Sequence, residues 1–521
     1  MSNRRSIPVD APVVVIGAGI GGLTAAATLA AHGLEVVLVE RAAAPGGKMR
    51  TIEIAGRELD AGPTVFTLRA VFEEIFADAG ASLDDHLALR PVEVLARHAW
   101  SERERLDLFA DLGRSAEAIG AFAGPAEARG YRQFCARARK IYQTLEEPFI
   151  RAARPANPLA LGLAVARRRL GDLRRIDPFA TLWRALGGHF RDPRLCQLFG
   201  RYATYMGSSP FQAPATLMLI AHVERAGVWL IEGGMHTLVA ALAGLAGRHG
   251  ATLRFGVEAR ALIVRSGRVA GVELADGERF KASAVVVNAD VAALADGRFG
   301  PAGVHAVRRP STATRSLSAL TWNMVATTEG FPLLRHNVFF SGDYAREFHD
   351  LFERYRLPAA PTVYVCAQDR DDRDDNAPGG PERLFCLVNA PPTGDRYAFE
   401  RSEIEPCEEQ AFHLLERCGL HVQRRPEMTV VTTPADFERL FPATGGALYG
   451  QASHGWMASF RRPGARSRIP GLYLAGGSAH PGAGVPMAAL SGRLAARSLI
   501  EDLTSRRRLH RTAMPGGTSM G

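Results

Sequence analysis

The most constraining feature of this 521-residue sequence lies near its start, where a short apolar run meets three closely spaced glycines. Val13–Ile16 has the composition of a buried parallel strand. Gly17, Gly19 and Gly22 follow it with G-x-G-x-x-G spacing. The first glycine permits a tight turn, the second lets backbone approach a pyrophosphate, and the third lets the next helix pack closely on the sheet. This unit predicts an α/β domain of the Rossmann type.

The residues after the glycines continue the same pattern. An alanine-rich helix should run to Gly33, a natural C-terminal cap, and point its N-terminal dipole at the pyrophosphate. A second strand over 34–39 then ends on Glu40, eighteen residues after Gly22. A carboxylate in this position accepts hydrogen bonds from ribose hydroxyls. Together these elements predict that the chain binds an adenine dinucleotide.

Two turns after Glu40 offer further contacts to such a ligand. Lys48 follows Pro45-Gly46-Gly47, which indicates either a cation close to the phosphates or an ordinary surface turn. Gly62-Pro63-Thr64 follows a strand end and forms a turn that can bring backbone against a flat ring. Both interpretations stay open from the residues alone.

Composition limits the class of protein. With 47% hydrophobic and 22% charged residues, the chain should fold into two or more globular domains. Its net charge of +9 is carried by arginine clusters, which favours an anionic partner. Nucleic acid is disfavoured because basic and aromatic residues are not interleaved, so an anionic membrane surface fits better. The six cysteines lack a C-x-x-C pattern and are expected to be reduced core residues.

The segment 151–175 is the candidate for a membrane contact. Seven arginines and one acid flank the apolar stretch 159–166, which is too short to cross a bilayer. It could lie in the interface with arginines on anionic headgroups, or it could be a solvated helix with one buried side. We expect a cytoplasmic protein that is soluble or peripheral on the inner membrane.

A second glycine-rich loop lies close to the end of the chain. A short strand at 471–475 meets the loop 476–484, and an amphipathic helix should follow to about Ile500. This is a second helix N-terminus of the cofactor-binding kind. A nicotinamide dehydrogenase needs only one, whereas a flavoprotein can place the second against the isoalloxazine ring. The pattern therefore favours a flavin.

The middle of the chain alternates in character. Residues 116–225 read mainly as helices, and 300–445 read as sheet, with strands at 361–367 and 384–390. The loop 369–383 between these strands alternates acids and arginines and is expected to be a solvated hairpin connection. Trp229 is expected in a strand as a core residue, and His236 at the start of a helix.

Seven motifs, taken in order, resemble the bacterial phytoene desaturase family of carotenoid oxidoreductases. They are V-V-I-G-A-G-I-G-G-L, V-E-R-A-A-A-P-G-G-K, D-A-G-P-T, Y-M-G-S-S-P-F-Q-A-P-A, G-V-W-L-I-E-G-G-M, N-A-D and Y-L-A-G-G-S-A-H-P-G-A-G-V-P, and they run from about residue 11 to 500. The resemblance implies an amine-oxidase-like fold with an FAD-binding domain and an inserted α+β substrate domain. FAD-binding segments are expected at 1–115, 226–300 and 451–503, substrate-domain segments at 116–225 and 301–450, and a disordered tail at 504–521.

The resemblance also assigns cofactor contacts by motif. It implies that the three glycines face the pyrophosphate, that Glu40 faces the ribose and that Lys48 lies near the phosphates. The remaining implied contacts, at the adenine, in the N-A-D motif and around the flavin, are Gly62, Pro63, Thr64, Val257, Asp290, Gly482, Gly484, Val485 and Pro486. One departure is Met487, which stands where many relatives carry glycine.

The activity that the resemblance implies is FAD-dependent 3,4-desaturation of 1-hydroxylated or 1-methoxylated acyclic carotenoids. Hydride would leave an allylic C–H for the flavin, and loss of a neighbouring proton would complete the double bond. Such chemistry needs positioning in an apolar tunnel more than a strong acid–base pair, and we find no catalytic constellation to assign. The alternatives are a multistep phytoene desaturase, a redox-neutral carotenoid isomerase, and an amine oxidase, whose aromatic cage has no evident counterpart here.

Overall fold

The computed structural model describes residues 11–167, 177, 179–373 and 378–512, with side chains as far as residue 505. Its strands are β1 Val13–Ile16, β2 Val36–Glu40, β3 Thr51–Ile54, β4 Arg57–Asp60, β5 Phe66–Thr67, β6 Leu89–Pro91, β7 Val94–Ala99, β8 Arg105–Phe109, β9 Val228–Ile231, β10 Thr252–Phe255, β11 Ala259–Arg265, β12 Arg268–Leu274, β13 Arg279–Lys281, β14 Ala284–Val287, β15 Ser318–Gly330, β16 His336–Phe339, β17 Val363–Ala367, β18 Glu382–Ala390, β19 Leu420–Gln423, β20 Thr429–Thr432 and β21 Leu472–Leu474. Its α-helices are α1 Ile20–Ala31, α2 Arg69–Asp78, α3 Leu112–Ala123, α4 Pro125–Leu145, α5 Pro158–Ala166, α6 Leu182–Leu186, α7 Pro193–Gly200, α8 Leu219–Arg225, α9 His236–Arg248, α10 Val291–Ala295, α11 Gly300–Val304, α12 Tyr344–Phe352, α13 Arg401–Arg417, α14 Pro434–Leu440, α15 Ala458–Arg461 and α16 Val485–Thr512.

A parallel five-stranded sheet carries the glycine-rich turn, with strand order β10-β2-β1-β14-β21. Its central strand β1 is buried on both faces, as its apolar sequence predicts. Val13 and Val15 face the core shared with α1, α9 and α16. Val14 and Ile16 face the core shared with β11 and β12. The predicted strand–turn–helix–strand unit is confirmed, and this sheet joins strands from three distant parts of the chain.

An eight-stranded sheet forms the second layer, with the order β19-β15-β18-β17-β16-β7-β8 and β20 also paired to β15. It contains the strands expected at 361–367 and 384–390, observed as β17 and β18. β7 and β8, which the predicted division places with the first FAD segment, join this sheet through the parallel pair β16–β7. The domain boundaries themselves remain a prediction.

Between β8 and β9 in the chain, the described residues form the helices α3 to α8, as predicted for 116–225. Phe134, Phe190 and Phe199 contact one another in the core of this region, with the rings of Phe190 and Phe199 stacked. Trp229 lies in β9, where the Arg69 guanidinium covers its half-buried ring at 4.6 Å. His236 begins α9, and its backbone N–H donates to Asp60 at the end of β4.

Two expectations need correction. The loop 369–383 connects the antiparallel strands β17 and β18, as expected, but in its described part Arg370 and Asp372 are not solvated: they are 6% and 1% exposed and form ion pairs with Glu382 and Arg90. Desolvated charges of this kind persist because each has a hydrogen-bonded partner. The last helix does not end near Ile500 but continues to Thr512. The part of the expected disordered tail at 513–521, and the arginines at 168–175, lie outside the described residues.

All six cysteines are buried and unpaired, as expected for reduced core residues. Among the residues that the structure describes, we find no helix with the length and apolarity needed to traverse a bilayer.

Candidate functional site

The turn between β1 and α1 is built from backbone. Gly17 has a φ of +98°, which favours glycine, and Gly19 is the N-cap of α1 without any side-chain hydrogen bond to the helix. A Cβ on Gly22 would lie 1.9 Å from the carbonyl oxygen of Gly17, so α1 can meet the turn only through a glycine. Gly17 and Gly19 line a large cavity, whereas Gly22 lies behind them and sets the position of the helix.

Glu40 and Val257 lie together at one side of this turn and both line the cavity. The Glu40 carboxylate accepts hydrogen bonds from the backbone N–H groups of Ala18 and Ala42, at 2.7 and 2.9 Å. The Val257 N–H donates to the Glu40 carbonyl at 2.8 Å. These bonds fix the predicted ribose acceptor beside the predicted adenine contact.

The N-terminus of α16 enters the same cavity as that of α1. Gly484, Val485 and Pro486 line it, and Gly482 lies just outside, packed on Met206. The two helices cross at glycines, because a Cβ on Gly492 would lie 2.0 Å from the Gly21 carbonyl oxygen. Two helix N-termini, each with a partial positive charge, therefore point into one cavity.

Lys48 and Asp290 also line the cavity. The Lys48 amino group donates to the carbonyl of Leu448 and lies 5.3 Å from the Phe441 ring centroid, and this one hydrogen bond leaves the ammonium group further N–H donors for a phosphate. Burial lowers the pKa of Lys48, while the charge of Asp290 acts in the opposite direction. Asp290 caps α10 through a hydrogen bond from the Ala292 N–H at 2.9 Å.

The turn Gly62-Pro63-Thr64 lies on the cavity wall between these groups and the second sheet. A Cβ on Gly62 would lie 1.9 Å from the Lys48 carbonyl oxygen, so this glycine is required by packing. The Thr64 hydroxyl is 2.7 Å from the hydroxyl of Tyr364 on β17. The turn thus connects the dinucleotide side of the cavity to the eight-stranded sheet.

Sequence reasoning missed two residues beside the glycines. Asn288 fills the gap between the two helices, with its side-chain amide 3.3 Å from the Gly17 carbonyl oxygen. Its place directly after β14, in the N-A-D motif, was an available signal. Arg462 is 3% exposed and donates to the carbonyl oxygens of Tyr449, Gln451 and Gly477, and burial lowers its pKa to about 10. No local pattern indicates Arg462.

The cavity has a volume of about 830 Å³ and brings together twelve of the fourteen predicted site residues, all except Gly22 and Gly482. We call the part formed by Gly17, Gly19, Gly22 and Gly484 with the two helix N-termini the glycine end. Beyond the turn 62–64 the lining becomes aliphatic and aromatic, with Leu145, Phe149, Ile150, Leu217, Ile220 and Val223. This chamber is the candidate substrate site.

One side of the chamber is polar and was not foreseen. We define the polar wall as Arg201, Tyr205, Glu224, Tyr344 and Tyr364, all of which line the cavity. Arg201 donates to the Tyr205 hydroxyl at 2.9 Å, and that hydroxyl donates to Glu224 at 3.1 Å. Burial raises the pKa of the Glu224 carboxyl, against the hydrogen bonds from Tyr202 and Tyr205. The wall holds a compensated cation within a largely apolar chamber.

The glycine end fits FAD. The uncapped N-terminus of α1 leaves backbone N–H groups for a pyrophosphate, and a Cβ on Gly19 would approach the Asn288 side chain to 3.0 Å, so this surface has no room for a larger residue. Glu40 is placed for the ribose, and the N-terminus of α16 is placed for the ring. A cofactor bound there would face the chamber across the turn 62–64.

Comparison with known proteins agrees with this geometry. The family model for flavin-containing amine oxidoreductases matches residues 20–500. The hydroxyneurosporene desaturase of Rubrivivax gelatinosus is 56% identical to this chain over 97% of the chain and 96% of the relative. The protein of the same name from Cereibacter sphaeroides is 47% identical over 97% of the chain and 100% of the relative.

Solved structures show the same fold at low sequence identity. A putrescine oxidase variant matches with a TM-score of 0.58 at 13% identity, covering 95% of this chain and 99% of the other.

Proposed function

The chain belongs to the flavin-containing amine oxidoreductases, and within them to the carotenoid desaturases, and on that premise we propose that it introduces the 3,4 double bond into 1-hydroxylated or 1-methoxylated acyclic carotenoids. The chain is an oxidoreductase that uses FAD. The observation that carries the proposal is the single cavity in which the glycine end opens onto an apolar chamber. A dinucleotide and a polyene need these two surfaces next to each other.

Each part of the cavity has a distinct task in this reaction. Bound FAD supplies a hydride acceptor. The chamber holds the polyene by apolar contact and excludes water, because Leu217, Ile220 and Val223 present no polar atoms to it. The allylic carbon loses a hydride, its neighbour loses a proton, and the two electrons left between them form the new double bond. The role of the protein is alignment of these C–H bonds.

An amine as substrate is disfavoured by the polar wall. Arg201 is a buried guanidinium, and the surrounding phenolic and carboxylate oxygens outweigh burial and raise its pKa further. The oxygens that could bind an ammonium group therefore already surround the guanidinium. Four tyrosines line the cavity, but they surround this cation and do not form a cage for another one.

The proposal includes docking to the inner membrane, from which a carotenoid must be extracted. α5 is made of apolar residues, yet Leu159 and Leu163 are 78% and 61% exposed. Phe179 and Trp456, 75% and 44% exposed, pack against each other at 5.4 Å. Exposed large apolar side chains of this kind are typical of an interaction site.

This exposed surface is connected to the chamber. Phe149, which lines the cavity, lies nine residues before the start of α5 and contacts Phe460 of α15 at a ring distance of 6.1 Å. Arg154 ties the two segments together by donating to the Phe460 carbonyl at 2.9 Å. A lipid-inserted α5 would therefore place the bilayer next to one end of the chamber.

The activity is tested with purified, FAD-loaded protein and liposomes that contain 1-hydroxyneurosporene or phytoene, with products followed by absorption and mass. We expect loss of two hydrogens from the hydroxylated carotenoid and no reaction with phytoene. Stepwise desaturation of phytoene would instead identify a multistep desaturase. A new isomer of unchanged mass would identify an isomerase.

Membrane docking is tested by flotation with anionic liposomes. We expect Leu159→Gln with Leu163→Gln to reduce the liposome-bound fraction at least tenfold while the flavin content stays unchanged, because exposed side chains contribute little to folding. The matched control is Val430→Gln with Val431→Gln, which alters two exposed apolar residues on β20, each 39% exposed. Equal loss of flotation in both variants would contradict docking through α5.

A further inference from the structure

The polar wall contains hydrogen-bond donors that nothing in the described structure uses. The Tyr344 side chain is 7% exposed, lines the cavity, and its hydroxyl has no partner among the described residues. Arg201 makes one hydrogen bond within the described part of the chain, to Tyr205, although a guanidinium carries five N–H donors. Buried polar groups in folded proteins are nearly always paired, so the Tyr344 hydroxyl requires a partner that the described residues do not supply, and the remaining N–H groups of Arg201 belong to a side chain that lines the same cavity.

The chemistry of the missing partner follows from the donors. A guanidinium can only donate, and the Tyr205 oxygen between Arg201 and Glu224 is already occupied on both sides. The partner must therefore present an acceptor oxygen. A hydrocarbon chain has none, whereas a terminal hydroxyl or methyl ether has one.

We propose that Arg201 and Tyr344 bind the terminal oxygen of the carotenoid and so select 1-hydroxylated and 1-methoxylated substrates over the parent hydrocarbon. This inference rests on the proposed function and names the residues that determine its specificity. Because both groups are donors, a hydroxyl and a methoxyl satisfy them equally well. A substrate without the oxygen leaves a desolvated cation and a phenol unpaired, which is a cost rather than merely a lost contact.

The location of the polar wall agrees with the position of the new double bond. In a 1-hydroxycarotenoid the oxygen is separated from C4 by four bonds, so it lies within about 5 Å of the reacting carbons. The residues that bind it must then lie close to the flavin side of the chamber. Arg201 lies 5.8 Å from the Tyr364 ring centroid, and Tyr364 bonds to Thr64 in the turn that faces the dinucleotide side. The wall is thus adjacent to that turn and not at the far end of the chamber.

Tyr344→Phe is the sharpest variant, because it removes one oxygen and keeps the ring packed on Phe340 and Phe348. The experiment measures kcat and KM for 1-hydroxyneurosporene and for neurosporene in liposomes, with flavin content as a check on folding. We expect the wild-type preference for the hydroxylated substrate to fall about 10-fold in Tyr344→Phe and about 10- to 100-fold in Arg201→Gln. The turnover of neurosporene should not fall in parallel.

The matched control is Tyr142→Phe, which deletes a buried hydroxyl that bonds to Glu146 and does not line the cavity. This variant should leave the preference for 1-hydroxyneurosporene over neurosporene, measured as the ratio of the two kcat/KM values, unchanged. Equal losses for both substrates in Tyr344→Phe and Arg201→Gln would overturn the inference while leaving the proposed function intact. A wild-type enzyme that turns over neither substrate would overturn the proposed function, and the inference with it.

Discussion

The glycine end and the polar wall line the same cavity but are made in different ways. The glycine end consists of closely packed backbone, where a Cβ would lie 1.9 Å from its nearest neighbour at Gly22, 3.0 Å at Gly19 and 3.5 Å at Gly17. The polar wall consists of side chains from distant segments, of which Arg201, Tyr205 and Glu224 are joined by hydrogen bonds. The glycine end therefore depends on residues without a Cβ, whereas the polar wall depends on contacts between charged and polar side chains. We therefore expect the two regions to respond differently to substitution.

The largest expected effect is at the glycine end. In Gly22→Ala the new methyl group meets the Gly17 carbonyl at 1.9 Å, and neither backbone segment can move away without displacing β1 or α1. We expect the free energy of unfolding to fall by more than about 3 kcal/mol and the purified protein to contain no flavin. Urea denaturation and the flavin-to-protein absorbance ratio measure both.

Gly162→Ala is the control for this substitution. A Cβ on Gly162, within α5, has open space within 4 Å, so alanine should stabilise the helix by roughly 0.5–1 kcal/mol. A flavin-loaded Gly22→Ala variant with wild-type stability would show that the glycine end is not limited by backbone contact.

At the polar wall, we expect a second substitution to restore part of the unfolding free energy that a first one removes. Arg201→Leu leaves the buried Glu224 without a compensating cation, and we expect a loss of about 3 kcal/mol in unfolding free energy. The double variant Arg201→Leu with Glu224→Gln should regain more than half of it, because the unpaired charge is gone. A double-mutant cycle from urea denaturation measures the coupling. Strictly additive losses would contradict the pairing described here.

The smallest expected effect is on the pH dependence of the unfolding free energy, through a histidine that contacts the polar wall. Burial, with the charges of Arg335 and Arg201, lowers the pKa of His336 to about 3, and its Nδ1 lies 2.8 Å from the Tyr364 hydroxyl. In the unfolded chain this histidine takes up a proton below about pH 6.5, whereas in the folded protein it stays neutral. The neutral His336 therefore contributes its full share to the free energy of unfolding above pH 6.5, and this share is lost as the pH falls towards 3.

Between pH 7 and 4.5 this contribution amounts to about 2.5 kcal/mol. His336→Asn should remove that part of the pH dependence, measured as the difference in unfolding free energy between the two pH values. His98, whose pKa burial also lowers to about 3, should retain its own share in both proteins. An unchanged pH dependence in the variant would show that His336 is charged in the folded state.

The two regions also differ in how far the sequence predicts them. The strand, the glycines, the helix and Glu40 lie within 28 consecutive residues, so local spacing specifies their geometry. Even here, the pairing of Lys48 with the Leu448 carbonyl could not be anticipated, because 400 residues separate the two.

The polar wall has no local pattern at all. Arg201 and Tyr205 lie on one 3₁₀ turn, Glu224 lies on α8, Tyr344 on α12 and Tyr364 on β17. Sheet pairing and helix packing bring these five residues together, and no periodicity in the sequence indicates that they will meet. For the same reason the burial of Asp372 in the loop 369–383 could not be predicted, because its partner Arg90 lies on β6.

The order β10-β2-β1-β14-β21 has a consequence for how the protein is made. The sheet gains its last strand, and α1 its covering helix α16, only after the ribosome has added more than 400 residues beyond β2. At roughly 5–20 residues per second this takes about 20 to 90 s, during which β1 and α1 remain incompletely covered. A nascent chain also lacks the Gly484 side of the cavity throughout this interval. The cofactor cavity can therefore be completed only near the end of synthesis.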